Sequence, residues 1–300
     1  MPPRCNGSPR ARRPCLAESD VPCTIEIFQA GDGYRWKYRR YLPTGTPRAR
    51  IVCLHGIQSH GGWYTHSCTE LSKAGYQVDF LDRRGSGLNE AARGDAPYFR
   101  RLIDDVAEFI QHLRKSDAER PVFLLAISWG GKPAVSLQKR HPGLVNGLLL
   151  LCPGLFSQVR TPFMQKARIA WARLVAPARR FPIPLNDPEL FTSTPRWLDF
   201  LRNDPLALHD ATARLLVESL RFDIYLRRCA RHVRVPTLLL LAEQDRIIDN
   251  AAVRRYVEGC ATTDRKIIEY PGAQHTLEFE PEPERFLADM QQWLAAHVPG

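Results

Sequence analysis

No apolar run in this chain is long enough to cross a bilayer. Spanning one as a helix takes about 20 residues, whereas the longest runs here, Gly147–Cys152 and Thr237–Ala242, have strand length. Cys5, Cys15, Cys23, Cys53, Cys68, Cys152, Cys229 and Cys260 include no Cys-x-x-Cys pair. No Cys/His group has zinc spacing, so a zinc module or a dithiol redox centre is excluded, and no metal is expected. Several of these cysteines stand in apolar runs, where a reduced thiol behaves as a small hydrophobe. Their scatter through 300 residues predicts a reducing, cytoplasmic location. The first twenty residues lack an apolar core segment, which excludes a secretory signal. Their Arg and Pro content predicts a disordered basic tail over 1–22, or a start codon placed too early. No internal repeat or low-complexity tract follows.

What is present is ordinary globular composition with an uneven charge. The net charge is +10, with 44% hydrophobic and 25% charged residues. Residues 156–235 carry 14 basic against seven acidic side chains and hold most of the excess. The segment lacks the motifs and interleaved aromatics of a nucleic-acid binder. A solvated helical face, or contact with an anionic membrane surface, remains.

Short apolar runs alternate with helix-compatible stretches. Thr24–Ala30 and Tyr34–Leu42 read as strands around Gly31-Asp32-Gly33, a hairpin signal. Further strands are expected at Ile51–Leu54, Gln77–Leu81, Val122–Ile127, Leu148–Cys152, Thr237–Ala242 and Lys266–Tyr270. Helices are expected at Trp63–Ala74, Tyr98–Lys115, Gly131–His141, Ala251–Gly259 and Glu284–His297. This rhythm predicts an α/β fold, a mostly parallel eight-stranded sheet with helices on both faces. Between Leu155 and Val235 the rhythm breaks into Pro, Arg and aromatics, with helix-like pieces at Met164–Val175 and Ala207–Arg231. The expected organisation is a core of 23–155 and 236–300, with a helical cap insertion at 156–235.

One apolar run ends abruptly on a serine: Leu124-Leu125-Ala126-Ile127-Ser128-Trp129-Gly130-Gly131. Small residues two before and two and three after Ser128 suit a tight strand-to-helix turn that exposes a nucleophilic hydroxyl. A serine capping the next helix is the plainer alternative. Sites in open α/β sheets form at the carboxyl ends of strands. There, Thr237–Ala242 runs into Glu243-Gln244-Asp245, and Lys266–Tyr270 into Pro271-Gly272-Ala273-Gln274-His275. A serine needs an imidazole to take its proton and a carboxylate to fix that imidazole. Asp245 and His275 are the best placed; Glu243 and Asp249 are alternative acids, with Asp249 better suited to cap a helix. His55, His60, His209 and His232 are alternative bases. The loop His55-Gly56-Ile57-Gln58-Ser59-His60-Gly61-Gly62 follows an earlier strand. Its Ile57 N–H and that of Trp129 are the expected oxyanion donors. The loop Leu81-Asp82-Arg83-Arg84-Gly85-Ser86-Gly87 reads as structural support beside it.

Together these segments, with Trp63-Tyr64, Asp245-Arg246-Ile247-Ile248-Asp249 and Asn203-Asp204-Pro205-Leu206, resemble the α/β-hydrolase superfamily. Within it the chain is similar to the monoacylglycerol lipase and lysophospholipase group, related to serine aminopeptidase-type hydrolases. The resemblance implies cleavage of a hydrophobic acyl ester through an acyl-enzyme, without a cofactor, by a monomer or homodimer. Acyl transfer, thioester or peptide cleavage by the same residues, and a silent binding protein on the same fold, are the alternatives. The loop departs from the group, which usually carries Glu before the second His and Arg before the Tyr; here they are Ser59 and Trp63. Substrate contacts are expected from His55, His60, Trp63, Phe156, Phe163 and Trp171. At helical spacing, the apolar residues of the insertion, Met164, Ile169 and Leu174 among them, also suit packing against the sheet.

Overall fold

Every predicted core strand forms, and each ends within two residues of its expected position. The computed structural model describes residues 22–298, so the expected tail falls, but for Pro22, outside the described residues. β1 (Cys23–Gln29) and β2 (Arg35–Tyr41) make the opening hairpin. They are followed by β3 (Ala49–Leu54), α1 (Thr65–Lys73), β4 (Tyr76–Leu81), α2 (Phe99–Ser116), β5 (Val122–Ile127), α3 (Gly131–Arg140) and β6 (Gly147–Leu151). An insertion then carries α4 (Phe163–Val175), β7 (Arg180–Pro182), α5 (Pro195–Asn203), β8 (Asp210–Thr212) and α6 (Ala213–Leu226). β9 (Thr237–Ala242), α7 (Asn250–Glu258), β10 (Arg265–Tyr270) and α8 (Glu284–His297) complete the core.

The eight core strands lie in the order β1-β2-β4-β3-β5-β6-β9-β10. β2 pairs antiparallel with β1 and β4, and the other pairings are parallel. β3, β4, β5, β6 and β9 bury every residue, as strands covered on both faces must. The register pairs Leu54 with Ala126, Ile127 with Leu151, Leu151 with Leu240 and Ala242 with Tyr270, so the carboxyl ends stand side by side. β4 lies on one side of β3 and β5 on the other. The loops leaving β3 and β5 therefore diverge, which opens a crevice at the carboxyl edge.

The insertion differs most from its sequence pattern. The stretch Ala207–Arg231 is not one helix. Asp210–Thr212 pairs antiparallel with Arg180–Pro182 as β8 on β7, and extended Thr212 then caps α6 by accepting the Leu215 N–H at 3.1 Å. Likewise Trp63–Ala74 splits into a 3₁₀ turn at Gly61–Tyr64 and α1. The apolar spacing of α4 signals neither packing on the sheet nor an acyl pocket. Phe163, Met164, Trp171 and Leu174 are 80%, 70%, 65% and 78% exposed. The helix is held instead through Ala172 and Ile169 to a small cluster with Phe181, Ala213 and Leu216. Phe156 packs edge-on against Tyr256 of α7 at 5.6 Å, and its carbonyl accepts the Asp249 N–H.

Candidate active site

β5 is extended to Ile127, and α3 begins only four residues later. The chain makes that change of direction at Ser128, whose φ is +51°. For a side chain other than glycine this left-handed backbone costs about 1–2 kcal/mol. It persists because both flanks are fixed. The Gly154 N–H donates to the Ser128 carbonyl at 2.6 Å. Behind it, Gly130 presses on the end of β3, where a Cβ would lie 2.7 Å from the Leu54 carbonyl oxygen and 2.9 Å from that of His55.

The turns after β9 and β10 bring Asp245 and His275 to this serine. The Asp245 Oδ1 accepts the N–H groups of Ile247 and Ile248 at 2.8 and 3.0 Å, which orients the carboxylate. Its Oδ2 lies 2.6 Å from His275 Nδ1. A carboxylate only accepts, so Nδ1 carries the proton and Nε2 is left to accept from Ser128 Oγ, 2.9 Å away. All three side chains are buried, and the Phe191 ring stands against the His275 ring at 5.9 Å.

The alternatives are engaged elsewhere. Glu243 accepts the Gly272 N–H at 2.8 Å, and Asp249 caps α7 by accepting the Ala252 N–H at 2.9 Å. His55 accepts the Arg83 N–H at Nε2 and donates from Nδ1 to the Gly56 carbonyl. Burial pushes this imidazole down to about 3, so it stays neutral at working pH. His209 is exposed on the insertion, and His232 lies beside Arg231 far along the chain from the turn. Cys152, Asp245 and His275 place ligand-capable atoms within 4.8 Å of one another. The Asp and His are already bonded to each other, and burial holds the Cys152 thiol well above its ordinary range, protonated and unreactive.

The loop after β3 passes against the serine, where a Cβ on Gly56 would lie 3.2 Å from that of Ser128, and Ile57 follows. Neither the Ile57 N–H nor that of Trp129 meets an acceptor among the described residues. His60 and Trp63 do not face this space, contrary to the expectation that they contact substrate. Their ring N–H groups both donate to Asp204 Oδ2, at 2.9 and 2.6 Å, and both residues are 3% exposed. Trp63, at the position where the resembled group has Arg, thus still reaches an acid. Burial pushes the Asp204 carboxyl up, but the bonds from His60 and Trp63 hold it below the usual carboxylate range. Ser59 accepts the Gly56 N–H and the Tyr64 hydroxyl. Further ties join this loop to the insertion: the Leu208 N–H donates to the Gln58 carbonyl at 2.9 Å, and the Gln58 amide donates to Asn186 at 3.1 Å. The Trp129 indole donates to Ser219 of α6 at 3.0 Å. Phe191, Asn186, Leu208 and Ser219 had no sequence signal, since nothing in their spacing links them to residues more than 80 positions away.

Residues 45–282 match the family described as serine aminopeptidase, S33. The chain belongs to this family. It is an α/β-hydrolase of the carboxylester type. It is 24% identical to the monoacylglycerol lipase of Mycolicibacterium smegmatis over 273 residues, 90% of this chain and 96% of that one. It is 28% identical to the phospholipase YtpA of Bacillus subtilis over 254 residues, 84% and 94% of the two chains. A soluble variant of the Saccharomyces cerevisiae monoglyceride lipase, solved with a substrate analogue, has the same fold. Its TM-score is 0.83 at 20% identity, and the match covers 97% of this chain and all of that one.

Two outcomes follow from this geometry. Gly130→Ala drives a methyl into fixed backbone and is expected to cost about 1–3 kcal/mol in urea unfolding, with loss of ester cleavage. Asp204→Asn is expected to weaken the bonds to His60 and Trp63 at a cost of about 1–3 kcal/mol at pH 7. A depressed carboxyl lends stability above its unfolded pKa and loses it as pH falls, so wild type and variant should converge below about pH 4. Equal stability of the two at pH 7 would contradict the assignment of Asp204.

Proposed function

We propose that the protein cleaves hydrophobic mono-acyl esters through a Ser128 acyl-enzyme. The observation that carries this is the hydrogen-bonded line from Ser128 Oγ through His275 to Asp245, at 2.9 and 2.6 Å. His275 takes the Ser128 proton as the oxygen attacks the ester carbonyl, and then gives it to the leaving alcohol. Asp245 holds the Nδ1–H tautomer and stabilises the imidazolium. The Ile57 and Trp129 N–H groups receive the oxyanion. Water, activated by the same imidazole, releases the acid. No metal or organic cofactor enters these steps.

Residues 156–235 act as the cap of this site. Ser128 is 9% exposed beneath them, which favours a slim substrate with one acyl chain over a bulky one. The names of the relatives, monoacylglycerol lipase and phospholipase, support the same class. Ser128→Ala should lower turnover of p-nitrophenyl butyrate by roughly 10⁴-fold or more, with an unchanged circular dichroism spectrum. Monoolein and lysophosphatidylcholine should be cleaved in preference to triolein. Full activity of the alanine variant would refute the proposal.

The cap also presents α4 as a lipid-facing helix. Phe163, Met164, Trp171, Leu174 and Val175 are exposed on it beside exposed Lys166 and Arg168. Apolar side chains flanked by cations suit an anionic lipid surface. The protein should sediment with vesicles containing phosphatidylglycerol more than with pure phosphatidylcholine. Replacing Met164 and Leu174 by Ser should weaken that binding without slowing cleavage of the soluble ester. Equal binding to both vesicles would remove this part of the reading.

A further inference from the structure

Arg83 is set apart from the arginines around it. Arg39 donates to both Asp82 oxygens, Arg40 pairs with Asp79 at 2.6 Å, and Arg84 and Arg101 both pair with Asp105 at 2.7 Å. Among the described residues, no carboxylate lies within 4 Å of the Arg83 guanidinium. The adjacent acid, Asp82, is fully buried and already serves Arg39 and the N–H groups of Gly61 and Leu88.

The contacts that Arg83 does make converge on one place. Its backbone N–H is pinned to His55 Nε2 at 2.8 Å. Its Nη2 donates to the Ile57 carbonyl at 2.8 Å. Its guanidinium lies 5.0 Å from the centre of the Trp129 ring. Its Nε is buried without a partner. Ile57 and Trp129 are the two residues whose N–H groups would hold the oxyanion.

Arg83 is half-buried, and a cation partly withdrawn from water without an anion is unfavourable. A carbonyl and an aromatic face recover part of that cost. Burial accordingly pushes the guanidinium down to about 10. The missing partner is a negative charge, and ester cleavage creates one on the tetrahedral oxygen, which the N–H groups of Ile57 and Trp129, the two residues that Arg83 touches, would receive. A charge that is uncompensated in the resting enzyme and compensated in the transition state lowers the barrier without tightening substrate binding.

We propose that Arg83 is a positioning residue of the oxyanion site: it fixes the Ile57 backbone and supplies a standing positive charge to the oxyanion. This rests on the reading of Ser128 as nucleophile with Ile57 and Trp129 as donors. The proton inventory is unchanged, since Arg83 stays protonated and His275 alone moves a proton.

The test begins with a fluorophosphonate probe on the full chain. Ser128 should be labelled in the wild type and unlabelled in Ser128→Ala; no labelling of the wild type would fail the underlying reading and the proposal with it. In Arg83→Met and Arg83→Gln, kcat for p-nitrophenyl butyrate should fall about tenfold or more while KM stays within about twofold. The inhibition constant of an alkyl trifluoromethyl ketone, whose adduct is an oxyanion, should rise by the same factor. Arg83→Lys, which keeps the charge, should recover the greater part of both. Ser128 still labelled but kcat and ketone affinity within about twofold of wild type in Arg83→Met would overturn the proposal. So would equal losses in Arg83→Lys and Arg83→Gln, a comparison that stands even where Arg83→Met does not fold.

Discussion

The left-handed backbone at Ser128 is the constraint on which the rest of the site depends. An L-residue does not hold φ of +51° by preference. β5 fixes it from one side, α3 from the other, and the Gly130 approach to the end of β3 leaves no room to relax. The parallel register then does the remaining alignment. Ile127 lies opposite Leu151 and Leu151 opposite Leu240, and β9 and β10 run two residues further, in register, to Ala242 and Tyr270, so the turns that follow them open beside the serine. Asp245 and His275 need only short turns to reach it. Strain at one residue and regular pairing in five strands are thus two sides of one arrangement.

The oxyanion loop is held by a different principle. Its own residues carry the N–H group proposed to receive the oxyanion, but the insertion supplies the anchors. Asp204 binds His60 and Trp63, the Leu208 N–H binds the Gln58 carbonyl, and Asn186 binds the Gln58 amide. Ser219 holds the Trp129 indole. The insertion is therefore bonded to the loop and the residue proposed to hold the oxyanion. Substrate fit above the crevice and donor geometry within it are coupled through these few buried polar contacts, each of which is costly to leave unpaired.

Legibility in the sequence followed the range of the forces involved. β3, β5, β6 and β9 read correctly because a strand buried on both faces is a nearly continuous apolar run. Asp249 as a helix cap and the Gly33 turn are local and were equally plain. Ala207–Arg231 misled, because its helical spacing competes with a Thr212 cap and a β7–β8 pairing that brings residues 30 positions apart together. The apolar face of α4 misled in another way. Spacing shows that a face exists and is silent on whether protein or solvent meets it. His60 and Trp63 stand beside the His-Gly pair, yet their partner, Asp204, lies more than 140 positions away.

By itself the sequence determined the α/β architecture, the strand ends and the chain order of a serine, an acid and a base at three of them. Those features follow from apolar run lengths and turn residues, which act over a few positions. Tertiary structure alone decided which side chains the site leaves free. His60 and Trp63 became anchors, Phe163 and Trp171 turned to solvent, and Arg83 emerged with its charge unmatched beside Ile57 and Trp129. Pairing of buried polar groups is settled by distance in space, and a linear sequence does not contain that distance.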